Sequence, residues 1–297
     1  MKRIFKLTSI MIICIFTLCS CGNHDHYDAW HLNSMNIDKL WTFSKGESQT
    51  IAFIDTGLSN KVQETYKDRI VAPYNFLDGN DNVDDDHGHG TQIISIASGD
   101  GSFGVYGIAP ESKIMPIKSV NKHGQINYAL LAKSIHYAVE HHATVICVSL
   151  GGYQNDPDVI AAIKYAFENN ISVVAAAGDY SQKDLLFPAN QHGVISVEAK
   201  DEQNTTWKDS NVSDLSTISF PGVNIKAIQI RDTGIIRSDL NNGTSQACAI
   251  ASGYVALLRD KNVNSESLDN QQIIQALEAL NTKSSSKTDY SKPFQSL

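Results

Sequence analysis

The sequence predicts an α/β fold with a mainly parallel central sheet covered by helices. Five short β-rich runs carry this expectation, at residues 50–54, 113–118, 144–149, 172–176 and 193–198. They are continuous rather than alternating, the pattern of strands buried on both faces. Helical patterns alternate with them, and strand–helix alternation over this length implies one parallel sheet with helices packed on it. No repeat of solenoid period, low-complexity block or domain boundary interrupts the 297 residues.

Each element has its own signal. Residues 127–141 place Leu131, Ile135, Ala138 and Val139 on one helical face. Asp156 followed by Pro157 starts a second helix, with Ile160, Ile163 and Phe167 as its expected apolar stripe. Residues 267–280 read as a closing helix with Ile273, Leu277 and Leu280 inward. Residues 224–237 read as a hairpin turning at Asp232-Thr233-Gly234, and the polar residues 281–297 as a frayed tail.

The N-terminus is a separate unit. Lys2, Arg3 and Lys6 form a basic head, and residues 7–18 are nearly all apolar. That run is shorter than the ~20 residues a spanning helix needs. The layout is that of an export signal over residues 1–20, with residues 21–297 as one domain. Leu18-Cys19-Ser20-Cys21 resembles a bacterial lipobox, so lipidation at Cys21 and tethering outside the cytoplasmic membrane are expected. The alternatives are an ordinary signal cut nearby, giving a secreted protein, or an uncleaved anchor. Loss of residues 1–20 takes the net charge from -8 to -11, a surface poorly suited to nucleic acid. Cys14, Cys19 and Cys21 belong to the signal. Cys147 and Cys248 remain, and are expected as buried packing thiols rather than a disulfide.

Three segments carry chemistry. Ile51-Ala52-Phe53-Ile54-Asp55-Thr56-Gly57 runs an apolar strand into a carboxylate, the place where open parallel sheets bind ligands. Alone it could be a turn, or half of an aspartic-protease pair with Asp232-Thr233-Gly234, although the second copy lacks apolar support. Gly88-His89-Gly90-Thr91 puts an imidazole at the start of a packed helix. Asp84, Asp85, Asp86, His87 and His89, with His24 and His26, also form a ligand-capable cluster; for His87 and the aspartates an exposed loop is expected. Asn242-Gly243-Thr244-Ser245-Gln246-Ala247 presents a Ser just inside a helix start, where its N–H is one of the unsatisfied helix donors. The plain alternative is an N-cap.

Asp, His and Ser in this order, each in a glycine-bearing motif, resemble the subtilisin family of serine peptidases. The resemblance continues through Gly107-Ile108-Ala109-Pro110, Lys118-Ser119-Val120, Ser149-Leu150-Gly151-Gly152 and Ala175-Ala176-Ala177-Gly178. It implies a subtilisin-like three-layer sandwich and an exported endopeptidase acting on peptides or proteins. Ser245 would attack the carbonyl, His89 would shuttle the proton and Asp55 would orient the imidazole. Substrate would lie against Ser149, Leu150 and Gly151 on one side and Gly124, Gln125 and Ile126 on the other. Ala176 and Gly178 would line the S1 pocket, with Leu186 near its base.

The sequence departs from the family at Asp179, where an Asn usually donates to the oxyanion beside the Ser245 N–H. The expectation is a protonated Asp179 that still donates. Ala249 stands in place of the usual Pro, and Gln246 in place of a common Met. No cofactor is required for this chemistry; the loop at 99–105 matches a family calcium loop, although Gly101 replaces an expected ligand side chain. Asp55 lies only 34 residues beyond Cys21, so no prodomain is expected. Short exported subtilases of this kind resemble the peptidases that remove lantibiotic leader peptides. The competing expectation is a surface lipoprotein of the same fold that binds peptides or a partner with little turnover.

Overall fold

The structure is a computed structural model that describes residues 28–230, 236–260, 268–280 and 288–295. The export signal, Cys21, His24, His26, Asp232-Thr233-Gly234 and residues 281–287 lie outside the described residues. No described helix is long and apolar enough to cross a membrane.

The chain enters through two short helices, α1 (Trp30–Ser34) and α2 (Ile37–Trp41), then β1 (Thr50–Asp55) and α3 (Asn60–Tyr66). It continues through β2 (Tyr74–Asn75), α4 (His89–Ser98), β3 (Lys113–Lys118), α5 (Tyr128–Glu140) and β4 (Val145–Val148). Next come α6 (Pro157–Glu168), β5 (Ser172–Ala176), β6 (Val194–Lys200) and β7 (Ile218–Pro221). The hairpin β8 (Ile225–Ile230) and β9 (Ile236–Asn241) precedes α7 (Thr244–Arg259), α8 (Asn270–Leu280) and α9 (Lys292–Gln295). β1 to β7 form one sheet in the order β2-β3-β1-β4-β5-β6-β7, and every pairing in it is parallel.

Alternate residues of the strands feed two cores. Ile51, Phe53, Cys147, Val174 and Val197 pack with α4 and α7 on one face. Ala52, Ile54, Ile146, Val148 and Ala175 pack with α5 and α6 on the other. This is why each strand reads as an unbroken apolar run: both faces are covered. The hairpin β8–β9 is antiparallel as expected, and its turn falls outside the described residues. Asn127 caps α5 through the Ala129 N–H, and Asp156 caps α6 through the Asp158 and Val159 N–H groups.

Three expectations are corrected. On α6 the buried face is Val159, Ala162, Ile163 and Ala166, while Ile160 and Phe167 are exposed. The two alanines let the helix approach its neighbours closely, so the larger side chains turn outward. The closing helix starts at Asn270 rather than residue 267. Residues 288–295 are not a frayed tail: Tyr290 and Phe294 are buried, with Tyr290 stacked on Phe220 and Phe294 on Phe43. Two aromatics outweigh the polar residues around them, because each buries a large apolar area.

β3 and β4 flank β1 on opposite sides, so successive strands leave β1 in opposite directions. Such a switch point opens a crevice beyond the carboxyl ends of the strands. Asp55 and the segment that follows β4 lie at its lip.

Candidate active site

Asp55 ends β1 and is buried at 2% exposure. Its Oδ1 accepts the Thr56 N–H at 2.7 Å. Both carboxylate oxygens face His89 Nδ1, at 2.8 and 3.0 Å. His89 is the first residue of α4 and keeps 26% of its side chain exposed, so the far ring nitrogen is the one available to a reactant. Burial pushes the imidazole pKa down, but the charge and hydrogen bond of Asp55, with the charge of Asp85, push it up further, and the net shift is upward.

The approach of α4 to the end of β1 requires a missing side chain. A Cβ on Gly90 would sit 2.3 Å from the Gly57 carbonyl oxygen, so only glycine lets the helix start come this close. The Gly90 N–H donates to Thr56 Oγ1 at 2.8 Å. Lys118, at the end of β3, donates to the Thr56 and Asp84 carbonyls and pairs with Asp86 at 2.6 Å. These contacts fix the Asp55–Gly57 turn from both sides.

Asp85 is the residue that sequence reasoning missed. The expected exposed loop is exposed at Asp84, Asp86 and His87, but Asp85 is buried at 6%. Its Oδ1 accepts the Thr56 hydroxyl and the His87 and Gly88 N–H groups, and its Oδ2 accepts the Thr91 N–H and hydroxyl. Burial alone would raise its pKa; the donors from Gly88, Thr91 and Thr56 outweigh it and hold the carboxyl below the ordinary range. The available signal was the pair of hydroxyl residues, Thr56 and Thr91, flanking Asp55 and His89. No group of three or more His, Cys, Asp or Glu side chains among the described residues is arranged to hold a metal ion.

Ser245 is the second residue of α7 and is partly buried. Its Oγ donates to the Ser149 carbonyl at 3.0 Å rather than to His89. A nucleophile–base hydrogen bond that tightens only with substrate bound is ordinary for such sites. Gly243, at φ +155, turns the chain into the helix and leaves the Ser245 N–H at its open end.

Asp179 does not stand as a free donor. Its Oδ1 accepts the Thr244 N–H at 2.8 Å and the Thr244 hydroxyl at 2.7 Å, while that hydroxyl accepts the Gly178 N–H at 3.1 Å. Asp179 therefore caps the start of α7, where negative charge is favoured by the helix dipole. Asp179 Oδ1 is thus engaged at the start of α7, a contact the sequence did not suggest.

Of the two segments expected to hold substrate, one contacts the site through the Ser149 carbonyl and the other lies near His87. In the loop at 121–126 the Gly124 N–H donates to Asn121 O and the Gln125 carbonyl accepts the Asn121 N–H, while Ile126 bridges to Val120. Gly124 sits beside the His87 imidazole. In the other segment Gly152 pairs with Phe187, and among the described residues the backbone of Leu150 and Gly151 has no backbone partner. Leu186 packs between Gly151 and Gly178: Cβ atoms on these glycines would meet it at 3.0 and 2.7 Å. Ala176 is buried at the end of β5 beside this wall. Tyr153 and Tyr180 follow the two segments, are 64% and 59% exposed, and hold their rings 5.8 Å apart.

The loop at 99–105 is filled by its own groups. The carbonyls of Gly99, Gly101 and Val105 accept the N–H groups of Gly107, Gly104 and Gly101. Arg69 donates to the Ser98 carbonyl and pairs with Asp100, and the Tyr106 ring lies against Gly101. A guanidinium at this loop does not fit a calcium ion, which needs six to eight free oxygens.

A parallel α/β sheet carrying a buried Asp–His pair and a serine at a helix start defines the class as serine peptidase. Residues 46–292 match the model of the subtilase family, peptidase S8, and the chain belongs to that family. It is 30% identical over 286 residues to the thermophilic serine proteinase of Bacillus sp. strain AK1, covering 94% of this chain and 68% of that one. It is 31% identical over 227 residues to the major intracellular serine protease of Bacillus subtilis strain 168, covering 72% and 69%. A cold-adapted subtilisin-like serine proteinase of known crystal structure superimposes with a TM-score of 0.71 at 23% identity, over 82% of this chain and 88% of that one.

The upward shift of His89 sets a pH dependence. Catalysis needs the neutral imidazole, so kcat/KM should rise through a pKa above the ordinary ~6.5. The same shift means the Asp55–His89 pair stabilises the fold fully below ~6.5 and loses that contribution as pH rises through the folded value. Asp55→Asn should move the acid limb of kcat/KM to lower pH and reduce kcat by about 10⁴. An acid limb unmoved by Asp55→Asn would contradict this assignment.

Proposed function

We propose that the chain is an exported, lipid-anchored endopeptidase that cleaves peptides through an acyl-enzyme on Ser245. The observation that carries this is the two-oxygen contact of Asp55 with His89 Nδ1 at the mouth of a crevice whose other side presents Ser245. Peptide would add a strand between the Gly124–Gln125–Ile126 and Ser149–Leu150–Gly151 edges, using the backbone of Leu150 and Gly151, which has no backbone partner among the described residues. The P1 side chain would meet Leu186 between Ala176, Gly178 and Gly151. His89 would take the Ser245 proton during attack and return it to the leaving amine, while Asp55 stabilises the charged imidazole. The Ser245 N–H supplies one oxyanion donor, and the second is weakened because Asp179 accepts rather than donates.

A processing peptidase for a bacteriocin leader or another extracellular peptide fits a slow, selective enzyme of this kind. The basic head, the apolar run and Cys21 support export and lipidation. The filled 99–105 loop favours an enzyme that needs no calcium there. The second reading, a peptide-binding lipoprotein with little turnover, draws on the same Asp179.

A fluorophosphonate probe on fractionated cells separates these readings. Labelling in the membrane fraction is expected, unaffected by a chelator, lost in Ser245→Ala and moved to the medium by Cys21→Ser. Absence of labelling would leave the binding protein. Asp179→Asn should raise kcat by up to about 10²–10³, because the amide oxygen keeps the Thr244 contacts and the nitrogen supplies a donor. An unchanged or lower kcat would contradict the acceptor account of Asp179.

A further inference from the structure

Two thiols lie directly under the nucleophile. Cys147 sits in β4 and Cys248 in α7, and both are buried, at 1% and 0% exposure. Both are free, yet their sulfurs are 3.8 Å apart. Neither takes part in the chemistry assigned to Asp55, His89 and Ser245.

The pair is joined to Ser245 along both chains. Cys248 is three residues beyond Ser245, on the same face of α7. Cys147 is two residues before Ser149, and its sulfur lies 3.3 Å from Ser149 Oγ. The Ser149 carbonyl accepts the Ser245 hydroxyl at 3.0 Å. Any displacement of β4 toward α7 at this point therefore reaches both the nucleophile and the group that holds it.

We propose that Cys147 and Cys248 form a peroxide-sensitive dithiol whose oxidation to a disulfide switches Ser245 off. The proposal rests on the peptidase reading for its effect, but not for its chemistry. Hydrogen peroxide oxidises one sulfur to a sulfenic acid, its O–O bond breaking and its other oxygen leaving as water. The second sulfur then attacks the first; the S–S bond forms, the S–O bond breaks, and a second water departs with the remaining thiol proton. Two thiols lose two electrons and the peroxide gains them. A disulfide requires about 2.05 Å between sulfurs, so the pair must close by about 1.8 Å. In a close-packed interior that closure shifts the first turns of α7 against β4. A misplacement of about 1 Å at a reacting group costs about 10²-fold in rate.

Gln246 follows Ser245, so methionine oxidation at that position does not confound the effect. The test is peroxide treatment of the intact protein, followed by fluorophosphonate labelling and peptide mapping. A Cys147–Cys248 linkage is expected, with the loss of two hydrogens, in both wild type and Ser245→Ala. Labelling of wild type should slow about 10²-fold, recover with dithiothreitol, and stay at its starting rate in Cys147→Ala/Cys248→Ala. Two thiols still free to alkylate after treatment would overturn the proposal. So would a disulfide formed without slower labelling, or the same slowing in the double variant. Formation of the linkage in Ser245→Ala reports on the thiol chemistry even if the peptidase reading fails.

Discussion

The Asp85 carboxylate is the contact on which the site depends. A buried anion is costly unless donors surround it. Here Thr56, behind Asp55, and Gly88 and Thr91, around His89, supply those donors. One side chain thereby joins the end of β1 to the start of α4. Gly90 removes the last steric obstacle to the approach, and Lys118 braces the turn from β3. The Asp55–His89 contact follows from this junction. Asp85 touches no reacting atom; it is a positioning residue.

The second half of the site is arranged by the same kind of contact. Asp179 accepts the first donors of α7, and Thr244 passes the link on to Gly178. The nucleophile helix is therefore held from its own N-terminus and from the end of β5. A carboxylate suits the helix end and does not suit a developing oxyanion, so anchoring and rate oppose each other at one residue. An enzyme whose substrate is presented by tethering or by a specific sequence tolerates such a compromise better than a scavenging protease does.

Much of this was legible in the sequence. The buried strands were legible because helices cover both faces of the sheet, and Asp55, His89 and Ser245 because each sits in a glycine-bearing turn. What escaped had physical reasons. Asp85 stands among exposed acids, and only the folded chain brings Thr56 and Thr91 to it. The role of Asp179 turns on Thr244, sixty-five residues away along the chain. The outward turn of Ile160 and Phe167 reflects how closely alanines let α6 approach, which periodicity does not encode. Tyr290 and Phe294 were masked by polar neighbours and are held by partners from β7, α7 and the segment after α2.

The central claim is that Asp85 sets the geometry of Asp55 and His89. Asp85→Asn tests it most directly, since the amide keeps the size of the carboxylate but turns a donor toward the Thr91 N–H and hydroxyl. The measurement is the rate of fluorophosphonate labelling at Ser245, taken where circular dichroism shows the variant folded. The account predicts a fall of about 10²-fold in the folded variant. An unchanged labelling rate in a folded Asp85→Asn protein would contradict it.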